Sequence, residues 1–292
     1  MKARADVVHL SLLRGVCQIP AYVAYDEGFF RDEGIEVDLS IAATAWLVPE
    51  RMLRGEVQFA VIPWTRVLAS AARGEPLVLV CGSGCEEAAV VVRRGLAPGD
   101  VRSVAIPQRG GMKDLTAVGL MRRLGWGEVE TLRLPSGDGA ILSFVGGGAD
   151  AASMVEPYAT MLEELQMGTV AARTRDVWPG APGCSLTTTA TVIERQPDLV
   201  QRVVRAFVRG ARFAEREPER AAAVAGRHIG IAPRFIEAAL GHNRPDVCAL
   251  HHEEAMDRVI SFMSEMGYLE TRPDRAYKDL SFLDRAIAAP TV

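Results

Sequence analysis

The stretch Gly28-Phe29-Phe30-Arg31-Asp32-Glu33-Gly34-Ile35-Glu36-Val37 compresses a helix end, a two-glycine turn and the start of a strand into ten residues. Tyr22, Tyr25, Phe29 and Phe30 give the incoming helix an apolar face, and Gly28 and Gly34 free the backbone where that helix must stop. Ile35, Val37, Leu39 and Ile41 then alternate as a half-buried strand does. With the apolar run Val8-His9-Leu10-Ser11-Leu12 in front, residues 7 to 41 read as one βαβ unit, the building block of a sheet covered by helices.

Working outward, the same logic repeats. Leu47 to Arg54 reads as a short helix with Pro49 in its first turn, Val57 to Ile62 as a buried strand, and Trp64, Val67, Leu68, Ala71 and Ala72 as a helical stripe closed by Gly74. Leu77 to Cys81 and Ala88 to Val92 are continuous apolar runs of the kind a parallel sheet buries on both faces. Arg93 to Asp100 loses periodicity and gathers Gly, Pro and charge, a boundary signal. Beyond it the module restarts with strands at Ser103 to Ile106 and Thr131 to Leu134 and a helix through Ala117, Leu120, Met121 and Leu124. Thr169 to Arg173 closes that second unit. The β-branched run from Cys184 to Val192 reads as one long strand returning to the first, and four helices up to Met266 follow it. The expected organisation is a discontinuous lobe one, 1–90 plus 190–292, around a lobe two of 91–189.

The chain has 292 residues, 49% hydrophobic and 24% charged, enough for two lobes with their own cores and too apolar for disorder. A net charge of -4 and a pI near 5.8 exclude the basic surface that nucleic-acid binding needs. No apolar run reaches the length of a membrane span. Met1 to Asp6 is too short for a secretory signal, so the expected location is the periplasm or cell surface if an export signal precedes Met1, and the cytoplasm if Met1 is the native start. The five cysteines, Cys17, Cys81, Cys85, Cys184 and Cys248, are odd in number and scattered, and they read as buried free thiols. Cys81 and Cys85 lack the two further ligands at readable spacing that a zinc site needs.

The segments "AYDEGFFRDEGIEV", "ERMLRGEVQFAV" and "ARGEPLVLV", together with Glu156-Pro157-Tyr158, resemble the solute-binding proteins of ABC importers for sulfonates, taurine, nitrate and the pyrimidine precursor of thiamine. The likeness runs over nearly the whole chain. It implies an α/β, two-lobed type 2 periplasmic binding protein fold, a ligand cleft between the lobes, and an ABC permease with its ATPase as partners. No cofactor and no metal site is expected from the residues.

In open α/β sheets, ligands lie beyond the carboxyl ends of strands, where helix N-termini present free N–H groups. By that rule and by the resemblance, the ligand-binding candidates are Gln18, Tyr22, Thr44, Trp46, Trp64, Thr65, Gly110, Gly111, Met112, Glu156 and Tyr158. The departures from the family are Ala43-Thr44-Ala45-Trp46 and Arg109-Gly110-Gly111-Met112-Lys113, where many sulfonate and nitrate binders carry Gly-Ser turns. Two tryptophans and a glutamate suit a planar nitrogen-bearing ring such as a pyrimidine better than an alkyl sulfonate or nitrate. Each has a plainer alternative: core packing for Trp46 and Trp64, helix capping for Glu156, and surface charge for Arg109 and Lys113.

No catalytic residues are assigned. His251-His252-Glu253-Glu254 lacks the i, i+4 histidine pair of a zinc helix, Gly146-Gly147-Gly148 lacks the lysine of a phosphate loop, and no G-x-S-x-G elbow is present. The principal expectation is a solute receptor. The alternative is a cytoplasmic enzyme on the same fold acting on a small aromatic or heterocyclic metabolite, although the cysteine-rich motif of the related pyrimidine synthase is absent.

Overall fold

The computed structural model describes residues 6–273 and 277–288. Residues 1–5, 274–276 and 289–292, which the expected lobe one includes, and the leader question at Met1 lie outside the described residues. The strands are β1 Asp6–Leu12, β2 Ile35–Ile41, β3 Phe59–Pro63, β4 Leu77–Gly82, β5 Ala88–Arg93, β6 Ser103–Pro107, β7 Glu130–Leu134, β8 Ala151–Val155, β9 Gly168–Arg173 and β10 Cys184–Thr189. They form two five-stranded sheets, ordered β2-β1-β3-β10-β4 and β7-β6-β8-β5-β9.

The two sheets are built alike. In each, four strands run in one direction, and the strand arriving from the other sheet inserts antiparallel: β10 between β3 and β4, β5 between β8 and β9. Residues in β3, β4, β8 and β10 are buried throughout, as expected of strands covered on both faces. The chain has therefore changed sheets by Ala88 and returned by Cys184. Boundaries at 90/91 and 189/190 fall late, since they divide β5 and place β10 in the wrong sheet. The reason is that the crossing strands are themselves buried core, and the Gly/Pro signal at Arg93 to Asp100 marks the turn after the crossing.

The turn that opened the sequence reading behaves as its residues require: Gly28 and Gly34 sit at φ 81° and 72°, Phe30 is buried, and β2 pairs with β1 in parallel register from Asp6 opposite Ile35. The long strand expected to Val192 stops at Thr189, whose hydroxyl accepts from the Val192 N–H and caps the helix Ala190–Arg195. The helix Pro197–Arg216 lays Val203, Val204 and Phe207 into the core that holds Tyr22 and Val23. Its charged edge pairs with the opening turn through Arg205–Glu33 and Arg209–Asp32. The helix Glu253–Glu265 packs Met256, Val259, Ile260 and Met263 against the far side of the first sheet, with Trp64, Leu68 and Leu79. A further helix, Ser281–Ala288, escaped the sequence reading because only Phe282, Leu283 and Ala286 mark its buried face. No helix among the described residues is long and apolar enough to cross a membrane.

Candidate functional site

The carboxyl ends of β1, β2 and β3 face those of β6, β7 and β8 across a cleft of about 800 Å³, part of it open to solvent. One wall is Leu13, Arg14, Cys17 and Gln18 after β1, Ala42 to Trp46 after β2, and Pro63 and Arg66 at the end of β3. The other is Pro107, Gln108 and Gly111 to Lys113 after β6, Pro135 to Asp138 after β7, and Val155. Glu87 and Cys184, from the two crossings, complete it. Bonds between the walls hold the cleft: the Val16 N–H donates to the Glu156 carbonyl at 2.9 Å, Arg14 lies 3.6 Å from Asp138, and the Arg66 guanidinium donates to the Arg109 carbonyl.

Charge is distributed unevenly in this space. The Arg66 guanidinium lies 3.0 Å from the centroid of the Trp46 ring. Burial pushes its pKa down to about 9, which still leaves it cationic at neutral pH. Lys113 has no ion-pair partner among the described residues, while Arg14 shares Asp138. Gln108 Oε1 is buried on the wall with no hydrogen-bond partner, an acceptor left open. At the floor, Glu87 is 3% exposed and accepts the Cys184 N–H at 2.9 Å. Burial, reinforced by Cys17 and Glu87, raises the Cys184 thiol well above its ordinary range. The Cys17 thiol is lowered by its hydrogen bond with Cys184 but raised further by burial and by Glu87, so it too ends up raised. Both are protonated at neutral pH.

Of the residues expected from sequence, Gln18, Thr44, Trp46, Gly111 and Met112 line the cleft. Gln18 is internally engaged, its Oε1 accepting from the Leu13 N–H at 3.1 Å and its Nε2 reaching Cys17 Sγ at 3.3 Å. Gly110 stands just behind the wall at φ 83°, its N–H donating to the buried Asp114 at 2.7 Å. The other five are placed elsewhere. Tyr22 is fully buried, donates to the Leu13 carbonyl at 2.6 Å and stacks on His228. Trp64 and Thr65 are also fully buried, and the Trp64 indole N–H donates to the Pro182 carbonyl at 2.8 Å. Glu156 is 1% exposed and neutralised by Arg173. Tyr158 is buried beside it, with burial raising its pKa to about 12. Trp46 and Trp64 both follow a strand. Trp46 sits in an irregular loop and stays 40% exposed, whereas Trp64 starts a helix whose apolar stripe rotates it into the core. Replacing Trp64 with Phe is expected to cost about 1–3 kcal/mol in urea unfolding, because the Pro182 carbonyl loses its donor, and to leave solute affinity unchanged.

Residues the sequence reading did not place at the site are Arg14, Arg66, Glu87 and Asp138. Gln108 opens the loop after β6 that the strand-end rule picks out, and Arg14, just beyond β1, was within reach of the same rule. Glu87 stands before β5, and only the crossing turns it into the cleft.

Two α/β halves with a solute-sized cleft at facing strand ends define a protein of the periplasmic binding protein fold. The chain belongs to the NMT1-like family, whose profile matches residues 2–229. It is similar in structure to the ligand-binding component of an ABC-type import system from Staphylococcus aureus with zinc bound (TM-score 0.84, 14% identity, covering 96% of this chain and 99% of that one). It is also similar to the alkanesulfonate-binding protein of Xanthomonas axonopodis pv. citri bound to MOPS (0.77, 15%, 95% and 100%). A third is the periplasmic nitrate-binding protein of Synechocystis PCC 6803 (0.79, 12%, 97% and 88%). At these identities the likeness carries the fold. No curated protein sequence matches the chain.

Proposed function

We propose that this protein is the solute-binding receptor of an ABC importer, formed of two lobes, near 6–82 with 184–288 and near 88–173, that close on a small molecule. The observation that carries the reading is the cleft itself: both walls are strand-end loops from different sheets, so closure buries whatever lies between them. Membership of the NMT1-like family and the import-system proteins of the same fold support it. A permease and its ATPase are the partners this role requires.

The ligand class we favour remains a planar nitrogen-bearing ring such as a pyrimidine, now with an acidic substituent. Trp46, with Arg66 over one face of its ring, offers its other face, the free Gln108 Oε1 calls for an N–H donor, and Lys113 calls for an anion. Glu156, the carboxylate first considered for the ring, is committed to Arg173.

The test is a thermal-shift screen of pyrimidine carboxylates, other heteroaromatic acids and alkyl sulfonates, followed by calorimetry. A ligand that binds only the folded, closed form raises the melting temperature by mass action. A heteroaromatic acid should bind and be recovered with unchanged mass. Lys113→Gln should weaken it about 10- to 100-fold, the range of a charge-assisted hydrogen bond of roughly 1.5–3 kcal/mol. Tight sulfonate binding that Trp46→Ala leaves intact would sink the ring. A ligand returned chemically converted would replace the receptor with an enzyme.

A further inference from the structure

Cys17, Glu87 and Cys184 come from three distant parts of the chain and meet on the cleft floor. Cys17 lies in the helical turn after β1, Glu87 precedes β5 at the first crossing, and Cys184 opens β10 at the return. Their two Sγ atoms and a carboxylate oxygen all lie within 4.8 Å of one another, with Cys184 Sγ 3.6 Å from Glu87 Oε1. In a tetrahedral zinc site, metal–sulfur bonds of about 2.3 Å and metal–oxygen bonds of about 2.0 Å imply ligand–ligand edges of roughly 3.5–3.8 Å. The Cys184–Glu87 edge already has that length, and the rest of the cluster needs to close by no more than about 1.3 Å.

We propose that these three side chains bind a divalent metal of the zinc type, with the fourth coordination position directed into the cleft. Two sulfur donors select a borderline or soft ion over magnesium or calcium. Binding replaces the two thiol protons, which leave to solvent, by one dication. The buried charge of the cluster, one carboxylate before and one dication with three anionic ligands after, therefore stays at minus one. Glu87 has no cationic partner among the described residues, and a metal would supply one to a carboxylate that is 3% exposed. The outer contacts are in place: the Cys184 N–H holds Glu87 Oε2 at 2.9 Å, and Gln18 Nε2 donates to Cys17 Sγ at 3.3 Å. Gly183 makes the approach possible, since a Cβ there would stand 2.5 Å from Glu87 Oε2. All three ligands line the cleft, so an ion has a route in. The second cluster, Cys85, Asp246 and His252, is weaker, because Cys85 donates to Asp246 at 3.2 Å and His252 is exposed and lies 3.0 Å from the Gly180 carbonyl.

The experiment titrates Co²⁺ into chelator-treated, fully reduced protein with no solute added, then displaces it with Zn²⁺. The expected result is one Co²⁺ per chain with sulfur-to-cobalt charge-transfer bands and tetrahedral d–d bands, lost on adding one equivalent of Zn²⁺. Cys17→Ser and Cys184→Ser should each remove part of the charge-transfer intensity and the double variant all of it, with folding checked by circular dichroism. Glu87→Gln, which keeps an acceptor for the Cys184 N–H, should weaken Co²⁺ binding about 10- to 100-fold. Cys85→Ser should change nothing. A folded wild-type protein without charge-transfer bands overturns the site, as do bands abolished by Cys85→Ser or unaffected by Glu87→Gln. The site stands apart from the receptor reading: solute binding by metal-free protein that shows no cobalt bands would leave the receptor intact and remove the metal.

Discussion

Replacing Arg173 with alanine is expected to destabilise the protein by about 3–5 kcal/mol, because it leaves the Glu156 carboxylate buried without its counter-ion. The pair is 11% and 1% exposed on the two sides, so water cannot take the place of the guanidinium. One Glu156 oxygen keeps its bond from the Thr160 N–H at 3.0 Å, which offsets only part of the loss. At roughly 2–4 °C per kcal/mol, the melting temperature should fall by about 6 °C or more. Glu156→Gln should be milder, since the neutral amide still accepts from Thr160 and leaves Arg173 partly accessible. Neither change should alter solute affinity measured below the new melting point beyond about twofold, well under 1 kcal/mol. An Arg173→Ala protein that melts with the wild type but has lost its ligand would return Glu156 to the binding site.

Gly210→Leu is the second large effect expected, with Gly210→Ala as its graded form. Gly210 lies in the helix Pro197–Arg216 where it crosses the helix Ile19–Asp26, and any Cβ built there falls inside the contact distance of the Pro20 carbonyl oxygen. The obstacle is backbone, which cannot swing aside as a side-chain tip can. Alanine gains about 1 kcal/mol of helix propensity, yet overpacking costs about 1–3 kcal/mol, so the net should be destabilising. Leucine must force the helices apart and should cost more than 3 kcal/mol by the same reasoning, roughly. Gly99→Ala, with nothing within 4 Å of its Cβ position, is the neutral control. Equal urea midpoints for Gly210→Leu and wild type would show that the helices do not cross in this way.

Much of the fold could be read from the residues. The βαβ opening, the alternation of short apolar strands with helical stripes, the restart after Asp100 and the helical C-terminal third all appear where local pattern put them. The errors are of one kind. Thr189 belongs to a β-branched run, so extension to Val192 was the local reading, but its hydroxyl caps a helix, and a cap depends on where the chain turns. The crossings were placed late because the Gly, Pro and charge cluster after β5, at Arg93 to Asp100, was read as the boundary, whereas Gly82 and Gly84 before β5 and Pro179 to Gly183 before β10 mark the actual changes of sheet.

The site was legible by position and poorly legible by identity. Strand-end reasoning reached Gln18, Thr44, Trp46, Gly111 and Met112, since those loops must face the cleft once the strands are parallel. It failed for Trp64, Thr65 and Glu156, where a helix start or a buried arginine decides the direction of the side chain. It had no means of finding Glu87, nor of seeing that Cys17 and Cys184 meet there.

By itself, the sequence determined the α/β class, the two-unit organisation and the loops from which a ligand site would be drawn, because periodicity, glycine conformation and strand length are local properties. Tertiary structure alone decided that β5 and β10 exchange sheets, that Arg66 covers Trp46, and that a carboxylate and two thiols from residues 17, 87 and 184 share one floor. Those facts depend on strand order and on contacts between residues far apart in the chain, and no local pattern encodes which of two similar side chains turns inward and which meets the cleft.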